Sequence, residues 1–411
     1  MLDLATLRGA VAGDGVGLRA RTPLEPLAGP GTKIFPPTYS VTSGLKYAVE
    51  TRRANGNDIA AVVLDSTASQ ANRLELALLE AYRAGELQVP VVSVDFRGTD
   101  AASLNLLSSL EAPHRIFDAL LRDSLWEGAP FRFSPPGLAV TEATTHSAAA
   151  LYRLSPTTLL FGGWDSTGPK GGRGAKYERC ITSEIVATGV QVGKATSSRL
   201  DPAGIESRVN LYEGPDGEWT LNPDEAVQDK KGPKLFAGSG DKPGRPSLVN
   251  HGNIAPSIIG DAGGVTADDI VGTTVISFPA LRRLRFPVDA DGVALDGDRR
   301  AAEAAARTAL AALGVVATVL AFEDGFDLRS RCVLHSTRDL TFELLRRGGR
   351  SESYTVERQQ ALALVGEATA AAAGLGLAWA SEELLLTPAP RLVDLIRRSH
   401  EVAAAETVEA F

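Results

Sequence analysis

The sequence predicts a mixed fold of the α/β or α+β class, and three neighbouring segments carry that reading. Residues 59–64 (IAAVVL) form a short, nearly continuous apolar run, the pattern of a buried strand. Residues 70–84 follow with Leu74, Ala77, Leu78 and Ala81 at helical spacing, a stripe that faces a core. Residues 89–94 (VPVVSV) supply a second strand, and strand–helix–strand is the order of a layered fold. The chain has 411 residues, 44% hydrophobic and 22% charged, which is ample apolar material for a core. Its net charge of −8 argues against a generic polybasic nucleic-acid binder or an adaptor for anionic membranes, but it does not describe local patches. No apolar run approaches the roughly 18 residues of a bilayer span. The N-terminus lacks a basic segment followed by an apolar one, so a cytoplasmic protein without membrane partners is expected.

Along the chain, residues 11–21 read as a strand entering a loop, and Pro36-Pro37 extends the segment 33–39. Ser69 is a candidate N-cap for helix 70–84, and Gly85 closes it. Residues 157–162 read as a strand leading into a glycine-rich loop, with a helix over 175–187 whose apolar face is Tyr177, Cys180, Ile181 and Ile185. Regularity is lost between 189 and 252, and a loop-rich insertion of that length is usually functional or mobile. Residues 270–278 are strand-like and 299–313 form an alanine-rich helix. Residues 315–322 and 326–334 look like paired strands around Glu323-Asp324-Gly325. From 354 onward the chain reads as helical, with a break at Pro388-Ala389-Pro390, and no repeat is visible. Cys180 and Cys332 are isolated and read as two buried thiols. The five histidines are scattered without ligand spacing, so neither a metal nor a cofactor is expected.

The strongest local feature is the loop from Gly162 to Gly174. A glycine-rich loop at a helix start presents free backbone N–H groups to an anion, and Lys170, Arg173, Lys176 and Arg179 follow at three-residue spacing. The nucleotide-triphosphate pattern G-x-x-x-x-G-K-[ST] is absent. A solvated surface loop accounts for the same residues, and Trp164 fits a core, hinge or base-stacking role. In the segment 64–75, Ser66, Ser69, Gln70, Asn72 and Arg73 crowd a helix start; capping explains Ser69 alone, and structural and binding roles stand equally for the rest. His251 and Asn253 lie in a polar turn. His251 has general-base chemistry, but no nucleophile accompanies it and no G-x-S-x-G is present, so a surface histidine is the plainer reading. The arginine runs 282–285 and 346–350 fit either a solvated edge or RNA contacts.

In order along the chain, Ile34-Phe35-Pro36-Pro37-Thr38-Tyr39, Asp65-Ser66 with Ser69-Gln70-Ala71-Asn72-Arg73-Leu74-Glu75, Phe161-Gly162-Gly163-Trp164-Asp165-Ser166, Glu178-Arg179 through Ser183-Glu184-Ile185, Gly252-Asn253-Ile254 and Asp327-Leu328-Arg329-Ser330-Arg331-Cys332 resemble one family. It is the backbone subunit of type I CRISPR effector complexes of the subtype I-U or I-G, within the repeat-associated mysterious protein (RAMP) superfamily. The resemblance spans roughly residues 30 to 335. It implies an α+β, modified RNA-recognition-motif (ferredoxin-like) antiparallel sheet with helices on one face and inserted finger and thumb elements. On that reading, residues 1–340 form the palm with an insertion at about 190–250, and 341–411 form a helical extension.

The resemblance also implies a non-catalytic, Cascade-like role. Several copies would line one CRISPR guide RNA (crRNA) together with other effector subunits, gripping its backbone and leaving its bases free to pair with target DNA. The guide-RNA candidates are Ser69, Gln70, Asn72, Arg73, Trp164, Ser166, Lys170, Arg173, Lys176 and Arg179, followed by His251 and Asn253. Type III relatives cut target RNA with a loop aspartate; no such residue maps here, and Asp65 and Asp165 receive no nuclease role. Two alternatives stand beside this reading. One is a metal-independent RNA-processing endonuclease of the same superfamily, with His251 or His146 as acid or base. The other is a metabolic enzyme that holds a phosphorylated small molecule at the 162–174 loop.

Overall fold

The structure, a computed structural model, describes residues 1–54, 56–168, 176–237, 243–289, 291–295 and 297–409. Among these, the main sheet consists of β1 (Gly15–Pro26), β2 (Val49–Ala54), β3 (Asn57–Asp65), β4 (Ile181–Thr188), β5 (Asp269–Ser277), β6 (Phe326–Arg329), β7 (Cys332–Ser336), β8 (Thr341–Arg346) and β9 (Ser351–Thr355). Every neighbouring pair is antiparallel. Side chains alternate between faces along a strand, and the burial of β5 follows that period: Ile270, Thr274 and Ile276 point inward. β1 pairs with β5 from Gly17 to Leu24. Its other edge is shared, β8 taking the first half and β7 the last. The central order is therefore β8-β1-β5-β4, with β3 and β2 beyond β4.

Four helices complete this layer: α1 (Leu4–Ala12), α2 (Thr67–Arg83), α3 (Arg299–Glu323) and α4 (Arg358–Ala373). α2 lies in the connection from β1 to β4, and α3 in that from β5 to β8. α3 touches β5 and β7 as well as α1, α2 and α4. Residues Ala305 to Phe322 of α3 are all buried, and each fully enclosed leucine or valine, such as Leu313 or Val316, is worth roughly 1.5–3 kcal/mol. By length and composition α3 is apolar enough to cross a membrane, although Arg307 and Thr308 interrupt its apolar run, and its apolar stretch is wholly buried inside the fold.

The helix approaches the sheet closely at Gly272 on β5, where a Cβ would lie 2.6 Å from Cε1 of Phe322. Gly272→Ala therefore has to displace that ring. It is expected to lower stability by about 1–3 kcal/mol, read as a lower urea midpoint with an unchanged m value.

A second sheet is ordered Leu106–Ser108, Val92–Asp95, Leu384–Pro388, Ser124–Trp126, Ala129–Pro130, with Leu384–Pro388 parallel to Val92–Asp95. By packing, the chain divides into two units. The first comprises Met1–Ser40, Tyr47–Val192 and Val265–Val393; the second comprises Val41–Lys46, Gly193–Gly264 and Asp394–Phe411. In the second, Ala195–Arg199 pairs with Ile254–Ile259, shorter ladders join 212–213 to 219–220 and 228–229 to 232–233, and Leu211 and Phe236 are buried.

Mixed α and β structure, β3, the α2 helix, β5 and the two buried thiols agree with the sequence reading; burial pushes the Cys180 thiol up to about 12 and raises Cys332 as well. Other elements differ. Residues 157–162 are mostly helix (Pro156–Phe161), because Pro156 at the first helical position presets the turn and burial on all sides erases periodicity. The helix expected over 175–187 is instead β4 preceded by the short strand Lys176–Tyr177. Ile181, Ser183, Ile185 and Ala187 alternate inward, and pairing with β3 and β5 decides between the two periods. Residues 315–322 continue α3, and the hairpin is β6–β7 across Ser330-Arg331. α1 runs to Ala12, so β1 begins only at Gly15. The N-cap of α2 is Ser66, whose Oγ accepts from the Ser69 N–H at 3.3 Å. Beyond residue 340 the chain is helical only in part, since β8, β9 and Leu384–Pro388 are strands.

Candidate nucleic-acid interface

The helix Pro156–Phe161 ends at Gly162, whose φ of +88° suits a residue without a Cβ. A side chain there would also press within about 3.1 Å of Arg179 Cγ and the Tyr177 carbonyl oxygen. This turn sends Gly163–Trp164 alongside Lys176–Tyr177, with Gly163 opposite Tyr177 and Trp164 opposite Lys176. Arg179 Nε donates to the Phe161 carbonyl at 3.1 Å, and Cys180 N to that of Leu160 at 2.8 Å, so the chain leaving the ladder is tied to the helix. The result is a cleft of about 650 Å³ lined by Trp164, Lys176, Arg179 and Thr182 and, from the start of α2, by Ala68 and Asn72. Trp164 is 52% exposed, so a large ring is open to a stacking partner. Lys176, Arg179 and Asn72 are exposed too.

The cleft carries positive charge. Arg52, Arg97, Arg122, Arg346 and Arg358 all pair with carboxylates. Lys176 and Arg179 form no ion pair among the described residues, and Glu178 between them is taken by Arg283 at 2.6 Å. Two cations without an ion pair among the described residues, beside an open indole, can bind a phosphate and a ring at once.

Beneath the cleft lies a buried ion pair. Arg115 meets Glu75 through two hydrogen bonds of 2.6 Å, and its Nη1 donates to the Gly162 carbonyl at 3.0 Å. Both side chains are almost fully enclosed. Burial pushes the Glu75 carboxyl up to about 7, while the Arg115 guanidinium and its hydrogen bonds pull the other way. With its value raised, the folded chain holds this proton over an interval where the unfolded chain has released it. The resulting stability is full below the ordinary carboxyl range and is lost as pH rises through about 7. Glu75→Gln is expected to flatten that decline, measured as urea midpoints between about pH 5 and 8; an unchanged slope would contradict the assignment.

The other predicted residues fall in different places. Gln70 is fully buried, donating to Asp65 Oδ2 at 2.7 Å and accepting from Ser183 Oγ at 2.9 Å, which in turn meets Thr274. Its amide joins β3, α2, β4 and β5 and is not available to a ligand, which corrects its assignment as a contact. Arg73 binds Asp65 Oδ2 at 3.1 Å and the carbonyls of Asp327 and Leu328 at 3.2 Å, anchoring β6 to α2. Ser69 is half-buried on the first turn of α2, and Ser166 is exposed beside Trp164. Arg132 holds the neighbouring Asp165 at 2.7 Å and the Thr167 carbonyl at 2.7 Å. Lys170 and Arg173 lie outside the described residues.

His251 and Asn253 belong to the second unit. His251 Nδ1 is 3.5 Å from Asp201 Oδ2, and Asn253 Oδ1 accepts from the Asp201 N–H at 2.7 Å. The Gly252 N–H and further backbone donors hold the Asp201 carboxyl below the usual range. Arg115, which supports the cleft, went unnoticed in the sequence, where nothing local separates it from a surface arginine.

Fold and cleft together define an α+β protein with an open, aromatic-and-cationic cleft. Residues 18–192 match the family model described as CRISPR-associated protein GSU0053, a stretch that contains the whole cleft and is less than half of the chain. Over those residues the chain is similar to a CRISPR-associated family, which supports a CRISPR association. No curated protein matches the chain.

Proposed function

We propose that this chain is a non-catalytic crRNA-binding backbone subunit of a type I CRISPR effector complex, of the I-U or I-G kind. The observation that carries this reading is the cleft that Lys176 and Arg179, without an ion pair among the described residues, line together with the open ring of Trp164. Phosphates meet the cations and a ring stacks on the indole, a mode that grips RNA without reading its sequence. A carrier of many different guides requires that indifference. The similarity over 18–192 supports it, and the order β8-β1-β5-β4 with α2 and α3 in its crossovers is compatible with the proposed ferredoxin-like palm. Copies of the chain assemble along one guide in the cytoplasm with other effector subunits, and the exposed bases pair with target DNA. Asn72 lines the same cleft, and Ser69, Ser166, Lys170 and Arg173 stay candidates by residue type alone.

The test is fluorescence anisotropy with several single-stranded RNAs of equal length and unrelated sequence across a salt series. Affinities within about threefold of one another and a clear fall with salt are expected. A strong preference for one sequence, or salt-independent binding, contradicts the reading.

A second reading, an RNA-processing endonuclease of the same superfamily, is favoured only by the Asp201 carboxylate beside His251. Metal-free cleavage of a guide precursor by the isolated chain, abolished by His251→Ala, is its signature.

A further inference from the structure

Two sequence motifs, around Phe35 and Arg331, remain outside the cleft. They meet at the turn between β6 and β7. Arg331 holds its guanidinium carbon 4.1 Å from the centroid of the Phe35 ring, and its carbonyl accepts from the Phe35 N–H at 3.3 Å. Its φ of +62° is left-handed, a turn conformation that glycine or asparagine adopts with less strain. A bulky residue kept in such a place points to a use for its side chain. That side chain is exposed and has no ion pair among the described residues.

The surroundings add positive charge. Arg329 directs Nη2 to the Leu64 carbonyl at 2.7 Å and has no ion pair among the described residues, whereas Arg73 binds two carbonyls of β6 and is paired with the buried Asp65. The acid on β6, Asp327, is four residues before Arg331. The turn also flanks the start of α2 on the side of Arg73, whereas Ala68 and Asn72 of the same helix line the cleft.

We infer that Arg331, stacked on Phe35, is a second contact for the sugar–phosphate backbone of single-stranded RNA. The inference rests on the RNA-binding reading above and extends its track across the start of α2. Stacking on the ring fixes the plane of the guanidinium and leaves its N–H edge free for phosphate oxygens.

Arg331→Gly tests it, because glycine suits the backbone of the turn. With labelled single-stranded RNA of arbitrary sequence, the variant is expected to bind about 3- to 10-fold more weakly at about 100 mM salt, with a salt slope shallower by about 0.7. Its thermal midpoint should be held or raised. Phe35→Leu keeps the charge and is expected to weaken binding less, with the slope unchanged. Wild-type affinity and slope in Arg331→Gly overturn the inference, as does a lowered midpoint without a change in slope. If Lys176→Ala with Arg179→Ala still weakens binding in that case, the RNA-binding reading survives alone. If the wild-type chain binds no RNA, both fail.

Discussion

Replacing Lys176 and Arg179 together by alanine is expected to weaken RNA binding by about 1.5–3 kcal/mol, roughly 10- to 150-fold. Both cations lie on the same cleft and form no ion pair among the described residues, so their removal chiefly subtracts attraction for phosphate. Two lost phosphate contacts to a single strand flatten the slope of log K against log salt by about 1.4. The loss should be the same for every RNA sequence, because backbone contacts carry no base information. The effect on folding should be modest: Lys176 makes no ion pair among the described residues, and Arg179 gives up one hydrogen bond, to the Phe161 carbonyl, and its electrostatic attraction for the buried Glu75. An anisotropy titration of wild type and double variant over a salt series measures all three quantities. An equal slope in the two proteins contradicts the assignment of the cleft.

Replacing Arg115 by alanine is expected to destabilise the fold by about 3–5 kcal/mol at neutral to mildly alkaline pH. The substitution removes both hydrogen bonds to Glu75 and leaves its carboxylate enclosed without a partner. The Glu75 carboxyl is already pushed up to about 7 by burial, and losing the guanidinium raises it further. At lower pH the carboxyl holds its proton, so the penalty should shrink on acidification towards about pH 5. Urea unfolding of the variant at both pH values checks the sign. A penalty independent of pH would mean that Glu75 does not titrate in this range. The same substitution releases the hydrogen bond from Arg115 Nη1 to the Gly162 carbonyl, so binding is expected to suffer even in the folded fraction.

The parts of this protein legible in its sequence are those with local causes. β3 is a run of apolar residues, and α2 has a stripe at helical spacing with a polar cap, so each announces itself within its own residues. The stretch 176–187 shows the limit. Tyr177, Cys180, Ile181 and Ile185 satisfy a helical period while Ile181, Ser183, Ile185 and Ala187 satisfy a strand period. Only the antiparallel neighbours β3 and β5 choose between them, and they come from distant positions in the chain. α3 misleads differently: a helix buried on every side has no polar face, and its β-branched half imitates a strand.

The candidate site divides in the same way. Residue type was enough to select Trp164, Lys176, Arg179 and Asn72, since exposed rings, cations and amides in glycine-rich or capping contexts suit a polyanion. Their convergence depends on the pairing of Trp164 with Lys176 and on the Gly162 turn, neither of which has a local signature. Gln70 misleads because polarity at a helix start suggests solvent, whereas its amide is fixed between Asp65 and Ser183. Arg115 is silent because its meaning lies in Glu75, forty positions earlier. The net charge of −8 is no obstacle once charges are placed: many arginines here are neutralised by neighbouring acids, whereas Lys176 and Arg179 of the cleft form no ion pair among the described residues.

The central claim is that this cleft carries guide RNA, and the nucleic acid that co-purifies with the chain tests it most directly. The chain is expressed with its CRISPR RNA and partner subunits, purified, and its bound nucleic acid is extracted and sized. A discrete RNA species of guide length, greatly reduced by Lys176→Ala with Arg179→Ala, is the predicted result. A chain that emerges free of nucleic acid under those conditions contradicts the account.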